Sequence, residues 1–241
     1  MSEKYIEVKK FAEASLGQMP EVIELLFHMN ENAAMEQFQE NGILYLGRTS
    51  LPRKIMPLIA MSVALANGPK ESAMIHFALA KKFGASNEEI LDAIRATKMA
   101  LMSSTLDASE TINMNIKNSE LSEKEESEKV LEKLKKDTGF VPDRLYEISD
   151  FSFNLLKEHL REKSNLLNPV KLESKYVFAI SYAVSTSIHD HECQDVYLKQ
   201  FIKKGGNSHE IEDILAITRF LVGNRAFVNA IDILRKMVNE S

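Results

Sequence analysis

Glycine and proline are scarce in this chain, nine and six among 241 residues. Together with abundant Ala, Leu, Glu, Lys and Met, that scarcity argues against short strands joined by tight turns and for helices. Neither of the two Asn-Gly dipeptides, Asn41-Gly42 and Asn67-Gly68, is flanked by alternating apolar residues. Cysteine is nearly absent too. The single Cys193 excludes an intrachain disulfide and a zinc-ribbon cysteine set, and it fits a reducing compartment. Nor is there an excess of positive charge: 30 Lys and Arg against 35 Asp and Glu give a net charge of −5. That balance leaves no electrostatic footprint for nucleic acid or an anionic membrane. No apolar run reaches membrane-spanning length, and Met1-Ser2-Glu3-Lys4-Tyr5 lacks the apolar core of a signal peptide, so a cytoplasmic location is expected. No glycine-rich phosphate loop is present, and no cofactor is expected.

What is present is an ordinary globular composition, 44% apolar and 27% charged, written twice. Phe83-Gly84-Ala85-Ser86-Asn87-Glu88-Glu89-Ile90-Leu91-Asp92 returns 121 positions later as Lys204-Gly205-Gly206-Asn207-Ser208-His209-Glu210-Ile211-Glu212-Asp213. Each copy stops one helix at a glycine and starts the next with a capping box, Ser86 with Glu89 and Asn207 with Glu210. The stripe Ile90, Ile94, Thr97, Leu101 matches Ile211, Leu215, Thr218, Val222, and Leu51, Lys54, Ile59, Val63 match Leu172, Lys175, Ile180, Val184. Further back, Gly17-Gln18-Met19-Pro20 matches Gly139-Phe140-Val141-Pro142 at a displacement of 122, so one residue is lost in between.

The reading is all-α, with two tandem repeats at 1–118 and 119–241 packed together. Periodicity predicts helices over about 4–14, 20–46 with a break, 51–67, 70–83, 87–102 and 105–117, and the same set again in the second copy. Ser122 with Glu125 is expected to cap the first helix of the second repeat.

The order Gly-x-x-Pro, a Leu-led apolar helix, a turn and helix carrying His76, then Gly84-Ala85-Ser86-Asn87-Glu88-Glu89-Ile90 resembles the carboxymuconolactone decarboxylase and alkylhydroperoxidase-D superfamily. The likeness covers most of each repeat. It implies that family's helical fold and, for its redox members, a Cys-x-x-Cys-x-x-x-His motif at a helix N-terminus, where a thiolate is favoured. Here those positions read Pro69, Ser72, His76 in the first repeat and Asp190, Cys193, Tyr197 in the second. The reactive pair is therefore missing, and dithiol chemistry within the chain is excluded. The family's relay glutamate is missing as well: Arg53 to Asn67 holds no acid, and the aligned positions are Pro57 and Phe178. Glu71 and Glu192 are candidate substitutes.

Five residues remain as candidates for chemistry: His76, Cys193, Ser72, Glu71 and Tyr197. His76 lies on a stripe with Ser72, Leu79, Ala80 and Phe83; it titrates near neutrality and suits proton transfer, with Ser72 one turn earlier as a hydrogen-bond partner. Its structural alternative is a satisfied core histidine. Cys193 is either a single reactive thiol, helped by the helix start and a protonated His189 but opposed by Asp190 and Glu192, or a buried small apolar residue. Tyr197 reads as a packing residue. A metal on His189, His191 and Cys193 would require that segment to be a loop, and no metal is assigned. Met99, Met102 and Met114 read as core or subunit interface.

Three functions stay open. One is a divergent peroxidase-like thiol oxidoreductase working through Cys193 and a redox partner protein. Another is a cofactor-free lyase or isomerase of small carboxylated lactones using His76. The last is a non-catalytic binding or scaffold protein. The resemblance further implies a homo-oligomer, a trimer of this chain being the first expectation.

Overall fold

The computed structural model describes residues 2–240, which form fourteen α-helices and, among the described residues, no strand. In the first half these are α1 (Glu3–Leu16), α2 (Glu21–Met29), α3 (Glu31–Asn41), α4 (Ile55–Asn67), α5 (Lys70–Lys82), α6 (Asn87–Ser104) and α7 (Ala108–Asn115). In the second they are α8 (Lys124–Thr138), α9 (Asp143–Phe151), α10 (Phe153–Leu166), α11 (Ser174–Ser187), α12 (His191–Lys203), α13 (Ser208–Asn229) and α14 (Ile231–Glu240). The starts of α12 and α13 fall 121 positions after those of α5 and α6, and those of α9 and α10 fall 122 after α2 and α3. The expected 118/119 join lies in the connection between α7 and α8. No single described helix is long and apolar enough to cross a membrane.

Local chemistry sets the boundaries. Gly84 and Gly205, at φ 86° and 87°, take the left-handed conformation that a β-carbon disfavours, and each stands just before a helix start. Both capping boxes form: Ser86 with Glu89 and Asn207 with Glu210. The break expected within 20–46 falls at Asn30, whose side chain accepts from the amides of Asn32 and Ala33 and so starts α3. The expected cap at Ser122 does not form. α8 begins at Lys124 with Glu123 at its cap position and no side-chain cap, because the Ser122 hydroxyl turns away to donate to the Ser149 carbonyl at 3.2 Å.

α4 and α11 form the centre. Residues 55–64 of α4 are buried without interruption, so this stretch has no solvent face and its sequence has no polar stripe. α6 packs on α11 and α13 on α4, so each half's long helix closes over the other half's central helix. One apolar cluster accordingly draws on both halves, from Tyr45 and Ile59 to Ile180 and Phe201.

Two buried aspartates tie the halves in reciprocal fashion. Asp92 accepts from the amides of Val170, Lys171 and Leu172 at 2.8–3.0 Å, in the loop ahead of α11. Asp213, 121 positions on, accepts from Ser50 at 2.7 Å and Leu51 at 3.3 Å ahead of α4, and from Arg48 Nε at 2.7 Å. Burial alone would raise the Asp92 pKa, but its amide donors and Arg95 hold it below the usual carboxylate range.

Candidate functional site

Between α3 and α4 the helical path widens into a π-turn, Gly42–Leu46, closed by the Gly47 amide donating to the Gly42 carbonyl at 2.8 Å. A β-carbon on Gly47 would stand 2.5 Å from that oxygen, so only glycine fits. The widened turn puts Tyr45 inward, 1% exposed, with its ring stacked on Phe220 at 6.1 Å.

The Tyr45 hydroxyl lies 3.2 Å from His76 Nδ1 on α5, and the phenol is edge-on to the imidazole. His76 is 6% exposed, and burial pushes its pKa down to about 4. Burial likewise raises the Tyr45 pKa well above its ordinary value. At neutral pH the pair is therefore imidazole and phenol, both uncharged. With the phenol donating to Nδ1, the ring carries its proton on Nε2, which makes no hydrogen bond to a described residue.

His76 and Tyr45 line a cleft of about 520 Å³. Its walls are mainly apolar, with Val22 and Ile23 from α2 and Phe220 and Val228 from α13; Gln37, Asn41 and Asn224 add uncharged polar groups. Ser72 and Glu71 line it as well, Ser72 buried and Glu71 exposed. His76, Ser72 and Glu71 thus come together, but the hydrogen-bond partner of His76 is Tyr45. Sequence reasoning passed over Tyr45 because its segment reads as continuous helix; the glycines at 42 and 47 bracketing it were the available signal.

The other two sequence candidates lie elsewhere. Cys193, in the first turn of α12, is 3% exposed beside a buried ionic cluster. Arg144 on α9 makes a paired contact with Asp190, at 3.0 and 2.5 Å, and its Nε donates to Glu192. It also donates to the Ser103 carbonyl at 2.9 Å and lies 3.5 Å from Cys193 Sγ. Burial pushes the thiol up to about 12 against the opposing influence of Lys163 and Arg144, so it stays protonated at neutral pH. The cations beside it are thus Arg144 and Lys163. His189, by contrast, is exposed in a left-handed conformation, one residue before the Asp190 cap. His191 opens the helix and is exposed, and no group of three metal-binding side chains assembles among the described residues. Tyr197 is fully buried, 3.4 Å from the Ser103 hydroxyl. Arg144 also escaped sequence reasoning: it stands 122 positions after Val22, and an arginine replacing a wall residue was the clue.

Residues 32–109 match the sequence profile of the carboxymuconolactone decarboxylase family. The matched segment holds Tyr45, Glu71, Ser72 and His76 and leaves out Cys193 and Tyr197. The whole fold is similar to a crystal structure from Burkholderia xenovorans LB400, provisionally named a gamma-carboxymuconolactone decarboxylase subunit, with a TM-score of 0.79 over 98% of this chain and 97% of that one. The two share 12% identity, so that likeness speaks for the fold. No curated protein matches the sequence.

Proposed function

We propose that this chain is a divergent, cofactor-free enzyme of the carboxymuconolactone decarboxylase type. It is built from two copies of one helical unit, 1–118 and 119–241, and acts on a small carboxylated lactone in the Tyr45–His76 cleft. The observation that carries the reading is a buried Tyr45–His76 pair in a mainly apolar cleft, with His76 Nε2 making no hydrogen bond to a described residue.

Neutral donors in a mainly apolar cleft stabilise an oxyanion without first being desolvated as ions. In decarboxylation the bond to the carboxylate breaks, carbon dioxide leaves, and the electron pair passes through the conjugated ring to the lactone carbonyl oxygen. The ring carbon then takes a proton from solvent water, which is left as hydroxide, so one proton is consumed for each carbon dioxide released. His76 Nε2–H donates to the developing oxyanion, and Tyr45 fixes the imidazole tautomer. Lys70, exposed in the first turn of α5 and lining the cleft, offers the charge that attracts a carboxylate. Thiol chemistry at Cys193 has less support, since its sulfur is protonated, buried and outside the cleft.

The test is carbon dioxide release from γ-carboxymuconolactone. His76→Gln is expected to lower kcat by about 100-fold and Tyr45→Phe by about tenfold. Turnover unchanged in His76→Gln, or absent in the wild type, rejects the reading.

A further inference from the structure

The second half contains a cavity of its own, about 510 Å³, bounded by α8, α10, α11 and α12. Displacing the first-half cleft by 122 positions carries Pro20 to Pro142, Ile23 to Leu145, Asn41 to Lys163 and Tyr45 to Leu167, all of which line this cavity. It occupies the same place in its half as the Tyr45–His76 cleft does in the other, with its chemistry exchanged. Leu167 stands where Tyr45 was, and Tyr197, fully buried, takes the place of His76. The tyrosine–histidine pair is gone, and a lysine has been gained.

Among the described residues that lysine has no ion-pair partner. The Lys163 ammonium forms no ion pair or hydrogen bond with a described residue, and it lies 5.4 Å from the centre of the Tyr197 ring. The neighbouring acids are already committed, since Asp190 and Glu192 both bind Arg144. Burial lowers the Lys163 pKa and Arg144 adds to the lowering, against a raising influence from Cys193, Glu192 and Asp190, none of which comes close enough to pair with it. Around it the wall is apolar: Leu134, Phe140, Leu160, Phe178 and Val196.

We propose that this cavity is a second, non-catalytic ligand site that takes a monocarboxylate with an apolar body, its carboxylate paired with Lys163 and its chain or ring against Leu160, Phe178 and Val196. A carboxylate supplies the missing counter-charge, and a cavity of this volume accommodates an aliphatic chain of several carbons. The inference is independent of turnover in the first-half cleft.

Calorimetric titration with octanoate, and with octanamide as the uncharged control, tests it. The full chain is expected to bind octanoate with one site and octanamide at least tenfold more weakly. Lys163→Met is expected to weaken octanoate binding at least tenfold, while Lys163→Arg, which keeps the cation, retains it. Leu160→Phe, which narrows the cavity without touching the cation, is expected to weaken binding as well and serves if the methionine variant does not fold. His76→Gln is expected to bind octanoate as the wild type does. The proposal is overturned if the wild type fails to bind octanoate, if octanamide binds equally well, if Lys163→Met and Leu160→Phe both bind normally, or if His76→Gln abolishes the binding.

Discussion

His76 is buried as neutral imidazole, and acid should therefore unfold this protein earlier than its carboxylates require. An unfolded chain takes up a proton on histidine near 6.5, whereas burial holds His76 unprotonated down to about 4. Between those values the unfolded state binds more protons, so the stability present above pH 6.5 is lost as pH falls toward 4. At about 1.4 kcal/mol per pH unit, falling to pH 4.5 costs about 3 kcal/mol from this residue alone. His159, on α10, adds a comparable loss, since burial and then Lys163 and Arg144 push it down to about 3. The assay is urea unfolding followed by far-ultraviolet circular dichroism at pH 7.0 and 4.5, for wild type and His76→Gln. Glutamine does not titrate, so the variant should lose about 3 kcal/mol less than the wild type between the two pH values, whatever its stability at pH 7. Equal losses would refute the claim that His76 is neutral in the folded state, and with it the neutral-donor role in the cleft.

Two further outcomes follow from the second-half cluster. Arg144→Met leaves Asp190 and part of Glu192 without their partner in a buried site and should destabilise the fold by about 3–5 kcal/mol, read as a lower urea midpoint; a change below 1 kcal/mol would mean those carboxylates are hydrated. Cys193, buried and protonated, should react with a disulfide reagent at pH 7.5 at least about 100-fold more slowly in the folded protein than in urea, and Cys193→Ser should leave carbon dioxide release unchanged. Fast native labelling would reopen thiol chemistry.

Much of the helix order was legible because its signals are local. A glycine followed by Ser86 or Asn207, and then by Glu89 or Glu210, states a helix stop and start within seven residues. The capping boxes formed where that spacing put them. Ser122 carried a similar signal and failed, since a tertiary acceptor, the Ser149 carbonyl, competed for its hydroxyl. Propensity at a helix end decides little against one well-placed long-range hydrogen bond.

The site was legible only in part, and the reason is the range of its contacts. His76, Ser72 and Glu71 lie within one and a half turns of α5, so any helical reading brings them together. Tyr45 reaches His76 from 31 residues away through a π-turn, and no periodicity announces an extra residue in a helix. Arg144 meets Asp190 from 46 residues away, and its pairing cannot be read from either segment alone.

Comparing the halves accounts for where the chemistry is and is not. Both keep the same wall at Pro20 and Pro142, the same helix stops, and the reciprocal Asp92 and Asp213 contacts that hold the opposing loop. Those features serve the fold and act on both halves at once, so losing either would loosen the shared core. The residues in the cavities bear no such joint constraint. Valine at 22 leaves the first cleft open, while arginine at 144 recruits Asp190 and Glu192 into a plug beside Cys193. Arg144 thus sets the thiol beside an ion-pair network, and on the ligand site proposed above the lysine at 163, in place of asparagine at 41, turns the remaining space toward holding an anion.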